Sequence, residues 1–307
     1  MPDTADKTGQ HVVSGNASPS TPYRLGCPVW ACADWVGELY STTNRRRWLG
    51  EYSRVFGTVE VNGSFYAMPE LDTVKRWADE AGGGFRFVLK FPASITHERQ
   101  LVGAGWLTDQ FLAVLGLLQA ADRLGPALLQ LPPFFAGSQF PALERYLRDL
   151  PNGLPVAVEV RHADYFDGAA NESALDGLLA ELGHDRALFD SRPLFSAPPS
   201  DDIERASQSR KPRSPFRTTA VGRSPMVRLV GRNDLSLINP WIDEWAGVVG
   251  RWIAEGRTPY FFTHAPDDRL APRMAERFHT ALAARVGRLG GLPAWPGRVA
   301  ERQRELF

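Results

Sequence analysis

Eight short apolar runs, each bounded by turn or helix signals and starting 28 to 41 residues apart, constrain this chain more than any other feature. A run of four to six such residues suits a parallel strand buried on both faces, and the spacing leaves room for one helix and two loops between successive strands. The runs are Arg24 to Cys27, Thr58 to Val61, Arg86 to Lys90, Ala127 to Leu131, Val156 to Val160, Ala187 to Asp190, Val227 to Val230 and Tyr260 to Thr263. Between them, apolar residues recur at helical spacing, as in Leu71, Val74, Trp77 and Ala78 of the segment Leu71 to Ala81. Thr108 to Leu124, Ala142 to Leu150, Ser173 to Leu182 and Pro240 to Glu255 read the same way, and Pro272 to Arg285 closes the series. Eightfold alternation predicts an α/β protein built as a (β/α)8 TIM barrel, a fold that commonly occupies about 250 residues.

One domain over residues 23–289 therefore accounts for most of the 307 residues. The first 22 residues are polar and read as a disordered tail without a signal peptide, and residues 290–307 read as a tail or a strap. The segment Ser191 to Arg223, after the sixth strand, is rich in Pro, Ser and Arg and lacks clear periodicity, so it is predicted as a long loop, either lid or disordered. No apolar run approaches the roughly 20 residues that cross a bilayer, and two cysteines, Cys27 and Cys32, make neither a disulfide framework nor a cysteine-based zinc site. A cytoplasmic protein with no membrane partner is the expectation. Lys plus Arg and Asp plus Glu each number 35, which gives no global field to recruit nucleic acid.

In a barrel, alternate strand residues point inward, and polar groups at the C-terminal strand ends line the reaction site. That rule selects Glu60 and Asn62, Lys90, Gln130, Glu159 and Arg161, Asp190, Arg228, and His264; His97 and His162 also follow strands. Glu60, Lys90, Glu159 and Asp190 are the catalytic candidates. Two desolvated carboxylates pushed apart in proton affinity supply an acid and a base, and Lys90 stabilises an oxyanion or, deprotonated by burial, forms a Schiff base. Arg161 and Arg228 suit a carboxylate or phosphate clamp. Trp30, Asn62, Tyr66, His97, Gln130 and His264 complete the expected binding surface, with Trp30, Trp35, Phe65 and Tyr66 as an apolar wall.

Other readings use the same residues. Glu60, Lys90, Glu159 and Arg161 also suit a buried ion-pair layer that only fills the barrel. Glu60, Glu159, Asp190 and His264 could hold a metal in a phosphoester hydrolase or sugar isomerase, although nearby arginines compete for the carboxylates and no metal ligand is assigned. Cys27 is a strand-end thiol whose simplest role is a buried, inert one. Arg192, Arg205, Arg210, Lys211, Arg213, Arg217 and Arg223 make the long loop a local basic cluster, so nucleic acid is the less favoured partner and a small polar or anionic ligand the favoured one. The residues name no cofactor and no oligomeric state.

The segments GCPVWACADWVGELY, TVEVNGSFYAMP, DTVKRWA, GFRFVLKFPASITHER, LLQLPP, VAVEVRH and PYFFTHAPDDRLAP, in this order, resemble the domain-of-unknown-function 72 family over Leu25 to Leu282. The resemblance implies a barrel and no particular activity. It marks Trp30, Trp35, Glu60, Asn62, Phe65, Tyr66, Lys90, Thr96, His97, Gln130, Glu159, Arg161, Asp190, Ser191 and Arg228. Three departures accompany it: Pro28-Val29-Trp30 stands where Ser-Gly-Trp is common, Val230 where a His is common, and Thr263-His264 where paired Asn is common.

Overall fold

Each apolar run is buried as a parallel strand in the computed structural model, which describes residues 21–305. The strands are β1 Arg24–Gly26, β2 Thr58–Val61, β3 Arg86–Leu89, β4 Ala127–Gln130, β5 Val156–Glu159, β6 Asp185–Asp190, β7 Met226–Val230 and β8 Tyr260–His264. The helices are α1 Trp48–Val55, α2 Gly63–Tyr66, α3 Leu71–Glu80, α4 Gly105–Ala120, α5 Phe140–Asp149, α6 Ala170–Leu182, α7 Asp202–Arg210, α8 Asn239–Ala254, α9 Ala271–Ala283 and α10 Pro296–Glu305. The tail expected over residues 1–22 lies outside the described residues except for Thr21 and Pro22.

The strands do not form one regular eight-stranded ladder. Six make a curled parallel sheet in the order β1-β8-β7-β6-β5-β4, and β2 pairs with β3 in a separate two-stranded ladder. Both seams between the sheets have a local cause. At β1 and β2, the Tyr52 hydroxyl is inserted between the strands: it accepts from the Cys27 N–H at 2.7 Å and donates to the Thr58 carbonyl at 3.1 Å. Direct backbone bonds flank it, from Gly57 N to Leu25 O and from Glu60 N to Cys27 O, both 3.1 Å. The strands are so close that a Cβ on Gly26 would lie 2.1 Å from the Thr58 carbonyl oxygen, which requires glycine there. At β3 and β4, isolated bridges join Phe87 to Leu124 and Lys90 to Leu128, three residues on one side against four on the other. The additional residue falls between Leu124 and Leu128, where Gly125 and the N–H-free Pro126 sit, so the ladder slips by one.

Alternation divides the core in two. Val88, Leu128, Ala157, Ala187, Met226, Tyr260 and Phe262 face into the curl as one apolar cluster. Their neighbours Phe87, Leu129, Val158, Leu188, Val227 and Phe261 face the helices, where Phe261 stacks on Phe278 of α9 with ring centroids 3.6 Å apart. Charged strand ends therefore sit above an apolar floor.

The segment after β6 differs from the expected unstructured loop, because it contains α7. Asp201 caps this helix, its carboxylate accepting from the Glu204 N–H at 2.7 Å. Its buried side chains are Glu204 and Ser207, so the helix has a polar inward stripe where periodicity analysis looks for an apolar one. Near the other end of the chain, Arg298 of α10 pairs with Glu38 and Glu276 at 2.8 and 2.7 Å and stacks on Trp295. Among the described residues, no helix is long and apolar enough to cross a membrane.

Candidate functional site

The inward positions at the C-terminal strand ends bring five expected residues into one hydrogen-bonded chain. Arg228, from β7, donates through Nε and one Nη to the two carboxylate oxygens of Glu60, from β2, at 2.7 Å each. Its other Nη donates to Glu159 of β5 at 2.5 Å and lies 3.5 Å from the Gln130 oxygen of β4. Arg161 donates to the remaining Glu159 oxygen at 2.7 Å and to Gln130 at 2.9 Å. The two guanidinium groups pass over the Phe189 ring at 5.5 and 5.2 Å. Glu60 and Glu159 are fully buried, and Arg228 and Gln130 are 5% and 4% exposed, so the layer is packed rather than hollow.

Charge pairing decides the protonation states. Burial alone would raise the carboxyl of Glu60, but the charge of Arg228, assisted by His264, holds it well below the ordinary range. Burial is likewise overcome at Glu159, which Arg228, Arg161 and Lys90 bring down to about 2. Arg228 is raised above its ordinary value, because Glu159 and Glu60 outweigh its desolvation. His264 Nε2 lies 3.4 Å from a Glu60 oxygen without hydrogen-bond alignment, and burial lowers it to about 4 in spite of that carboxylate.

Lys90 is the exception in this layer. Its Nζ sits 3.9 Å from the centre of the Phe65 ring and, among the described residues, has neither a hydrogen-bond acceptor nor an ion-pair partner. Burial, reinforced by Arg228, lowers it to about 7 against the opposing pull of Glu159 and Glu60. His97, half-buried beside it, packs its ring edge-on against Phe65 at 4.9 Å and is lowered to about 4 by burial, Lys90 and Arg161.

Other expected residues lie elsewhere. Asp190 faces the helix layer: it accepts from the Arg192 N–H and guanidinium and from Trp245 Nε1 of α8 at 2.8 Å. Alternation explains this, since Ala187 and Phe189 face inward and the next residue must face out. Trp30 packs edge-on against Trp77 of α3 at 5.1 Å, and Tyr66 is 83% exposed. Asn62 ties the loops after β1 and β2 together by donating to the Pro28 carbonyl at 3.2 Å. Of the four expected wall aromatics, Phe65 alone meets the charged layer; Trp35 is buried and donates to the Asp268 carbonyl. Cys27 is fully buried, and burial raises its thiol to about 12.

The alternative ligand sets are dispersed. Among the described residues, no three His, Cys, Asp or Glu side chains are grouped to hold a metal ion. In the set Glu60, Glu159, Asp190 and His264, Arg228 stands between the glutamates and Asp190 points away. Within the basic segment, Arg192 pairs with Asp190 and Glu244, Arg205 with Asp202, and Arg217 with Glu172. A hollow of about 730 Å³ opens at the opposite, N-terminal end of the strands, beside Arg24, Gly57 and Phe85.

Phe189 escaped sequence reasoning, whereas Lys211 is one of the residues assigned there to the basic segment. Phe189 follows from the parity of β6 counted from Ala187. Lys211 belongs to no strand: it follows α7, and burial lowers it to about 8, with Arg228, Glu60, Arg161 and Asp268 acting on its charge.

Comparison with known proteins places this arrangement in context. A family model described as "Protein of unknown function DUF72" matches residues 24–298. The UPF0759 protein YecE of Escherichia coli K12 is 34% identical over 272 residues, covering 89% of this chain and 97% of that protein. The UPF0759 protein YunF of Bacillus subtilis is 27% identical over 162 residues, 51% of this chain and 57% of its own. The crystal structure of a DUF72 family protein from Enterococcus faecalis superposes with a TM-score of 0.64 at 18% identity, over 85% of this chain and 95% of that one. One from Thermotoga maritima gives 0.60 at 19% identity, over 85% and 98%.

Proposed function

The chain belongs to the DUF72 family, described as proteins of unknown function, and on that footing we propose that it is an enzyme for a small polar, anionic metabolite. The reaction site lies at the C-terminal strand ends of a closed (β/α)8 barrel, where Lys90 and Arg161 border the packed ion-pair layer. Closure is supported by the backbone and Tyr52 hydrogen bonds across the β1/β2 seam and by the bridges across the β3/β4 seam. The single-domain reading over residues 23–289 goes with it, as does a cytoplasmic location.

The observation that carries the proposal is Lys90: a mostly buried ammonium above an aromatic ring, without an acceptor, lowered to about 7. A structural lysine would be paired; one with proton affinity near neutrality suits acid–base transfer and stabilisation of a developing oxyanion. Glu60 and Glu159, held ionised by Arg228, orient the arginines in place of transferring protons, and Arg228 is saturated by them. Arg161, whose second Nη makes no hydrogen bond among the described residues, is the available clamp for an anion. Gln130, His97 and His264 complete the polar surround. The metal-dependent and nucleic-acid readings receive less support, from the dispersed carboxylates and the paired arginines respectively.

Thermal unfolding in a panel of small anionic metabolites tests the proposal. Wild-type protein should be stabilised by at least one class of anion and Lys90→Met by none. Equal stabilisation of both proteins would remove Lys90 from the site.

A further inference from the structure

Two segments that follow strands meet on the Phe65 ring. Ser64, the residue before it, fixes the first of them: its hydroxyl accepts from the Lys90 N–H at 3.0 Å and lies 2.8 Å from both the Lys90 and the Val61 carbonyl oxygens. The short helix α2 is thereby tied to the end of β3, with the Lys90 ammonium 3.9 Å from the centre of the Phe65 ring. The second segment follows β3. Ser94–Glu98 form a single π-helical turn, closed from the Arg99 N–H to the Ser94 carbonyl at 3.3 Å, and the next residues, Gln100 and Leu101, are left-handed with φ of 47° and 69°. Gln139 donates to the Gln100 side chain at 2.5 Å and Leu101 is buried, which holds this strain in place. Such turns and such strain recur at functional sites. The turn carries His97, whose ring meets Phe65 edge-on with centres 4.9 Å apart. Lys90 Nζ and the His97 ring therefore lie no further apart than those two distances added, within reach of one small molecule.

Hydrogen bonding fixes the hydrogen on His97. The Thr96 hydroxyl, fully buried, lies 3.1 Å from the Pro92 carbonyl and 2.9 Å from His97 Nδ1. A hydroxyl has one hydrogen, and the carbonyl can only accept, so both contacts are satisfied when Thr96 donates to Pro92 and accepts from Nδ1–H. The reverse assignment would set oxygen lone pairs against each other at 3.1 Å. Lowered to about 4, the ring is neutral at pH 7 and carries one hydrogen. Its Nε2 is then a bare acceptor, and it makes no hydrogen bond among the described residues.

We propose that His97 is a binding residue of the strand-end site, locked by Thr96 as the tautomer that offers Nε2 as an acceptor, and that the ligand is a hydroxylated oxyanion, its charged oxygen at Lys90 and a hydroxyl donating to His97. This rests on the reading of the strand ends as an anion site. An ammonium donor on the ligand would stand beside the Lys90 charge, so the donor that fits His97 is a neutral hydroxyl. Thr96 acts through His97 and is a positioning residue.

Isothermal titration of the full chain at pH 7 with glycerol 3-phosphate against propyl phosphate, and with glycerate against propionate, tests the ligand. Long-range proton–nitrogen NMR correlations of the labelled imidazoles test the tautomer. The proteins are wild type, His97→Phe, which keeps an aromatic ring against Phe65, and Thr96→Val, which removes the hydroxyl. Wild type should bind the hydroxylated member of at least one pair roughly fivefold more tightly than its partner, the worth of one hydrogen bond. His97→Phe should lose that preference and still bind the unhydroxylated anion. Wild-type His97 should carry hydrogen on Nδ1, and Thr96→Val should shift it toward the Nε2–H form. Equal binding within both pairs, hydrogen on Nε2 in wild type, or a preference that survives His97→Phe would overturn the proposal and leave the anion site standing. An unshifted tautomer in Thr96→Val would overturn the role of Thr96. Wild type that binds none of the four anions would remove the anion site and this inference with it.

Discussion

Arg228 and Glu60, 168 residues apart in sequence, meet through two parallel hydrogen bonds of 2.7 Å in the interior of the strand-end layer. The same guanidinium holds Glu159, so one side chain neutralises two fully buried carboxylates. Replacing Arg228 with Met leaves both charges without their partner. Denaturant unfolding at pH 7 should show a loss of about 3–5 kcal/mol, the usual consequence of removing one member of a buried ion pair. A loss no larger than that of a surface Arg variant such as Arg76→Met would mean that water reaches the glutamates freely.

The acid limb of stability should depend on these carboxylates. Glu159 is lowered to about 2 in the folded protein, so its contribution is complete above the unfolded carboxyl value near 4.5 and is lost as pH falls toward 2. Glu204, lowered to about 2, acts in the same direction. Urea midpoints at pH 7, 5 and 3 should fall most steeply below pH 4.5, and Glu204→Gln should flatten that limb. An unchanged slope in the variant would show that Glu204 does not hold its charge against acid.

Lys90→Met should make the unliganded protein more stable at pH 7. Folding lowers Lys90 to about 7 from 10.5, so the unfolded chain binds the extra proton between those values and wild-type stability rises as pH increases from 7 to 10.5. Removing the charge should gain about 1–4 kcal/mol at neutral pH and abolish that rise. Measured destabilisation by Lys90→Met would indicate that the ammonium supports the fold.

Tyr52→Phe tests the β1/β2 seam. The hydroxyl it deletes is the partner of both the Cys27 N–H and the Thr58 carbonyl, and an unsatisfied buried group costs about 1–3 kcal/mol. Urea unfolding reads that loss, and hydrogen exchange at the Cys27 amide should accelerate. Exchange as slow as in wild type would mean that the strands pair without the tyrosine.

Periodicity made the strands legible because their residues are buried on both faces: β2, Thr58 to Val61, has the bounds expected of it, and the others differ by one or two residues at an end. The sheet's division was not legible, because it depends on a hydroxyl from α1 and a one-residue slip near Gly125, neither of which alters an apolar pattern. Glu60, Lys90, Gln130, Glu159, Arg161 and Arg228 fall together because period-2 alternation alone brings them inward. Asp190 was assigned to the wrong face although Ala187 set the parity of its strand. Helix α7 was hidden since it buries Glu204 and Ser207, and with it the position of Lys211, which only long-range ion pairing defines.

With four lysines in the chain, Lys7, Lys75, Lys90 and Lys211, an NMR pH titration of isotopically labelled lysine side chains reads the central claim directly. Lys90 should titrate near 7 and move upward when an anion binds, with its assignment made from Lys90→Met. Titration of all four near 10.5, with no response to anions, would contradict it.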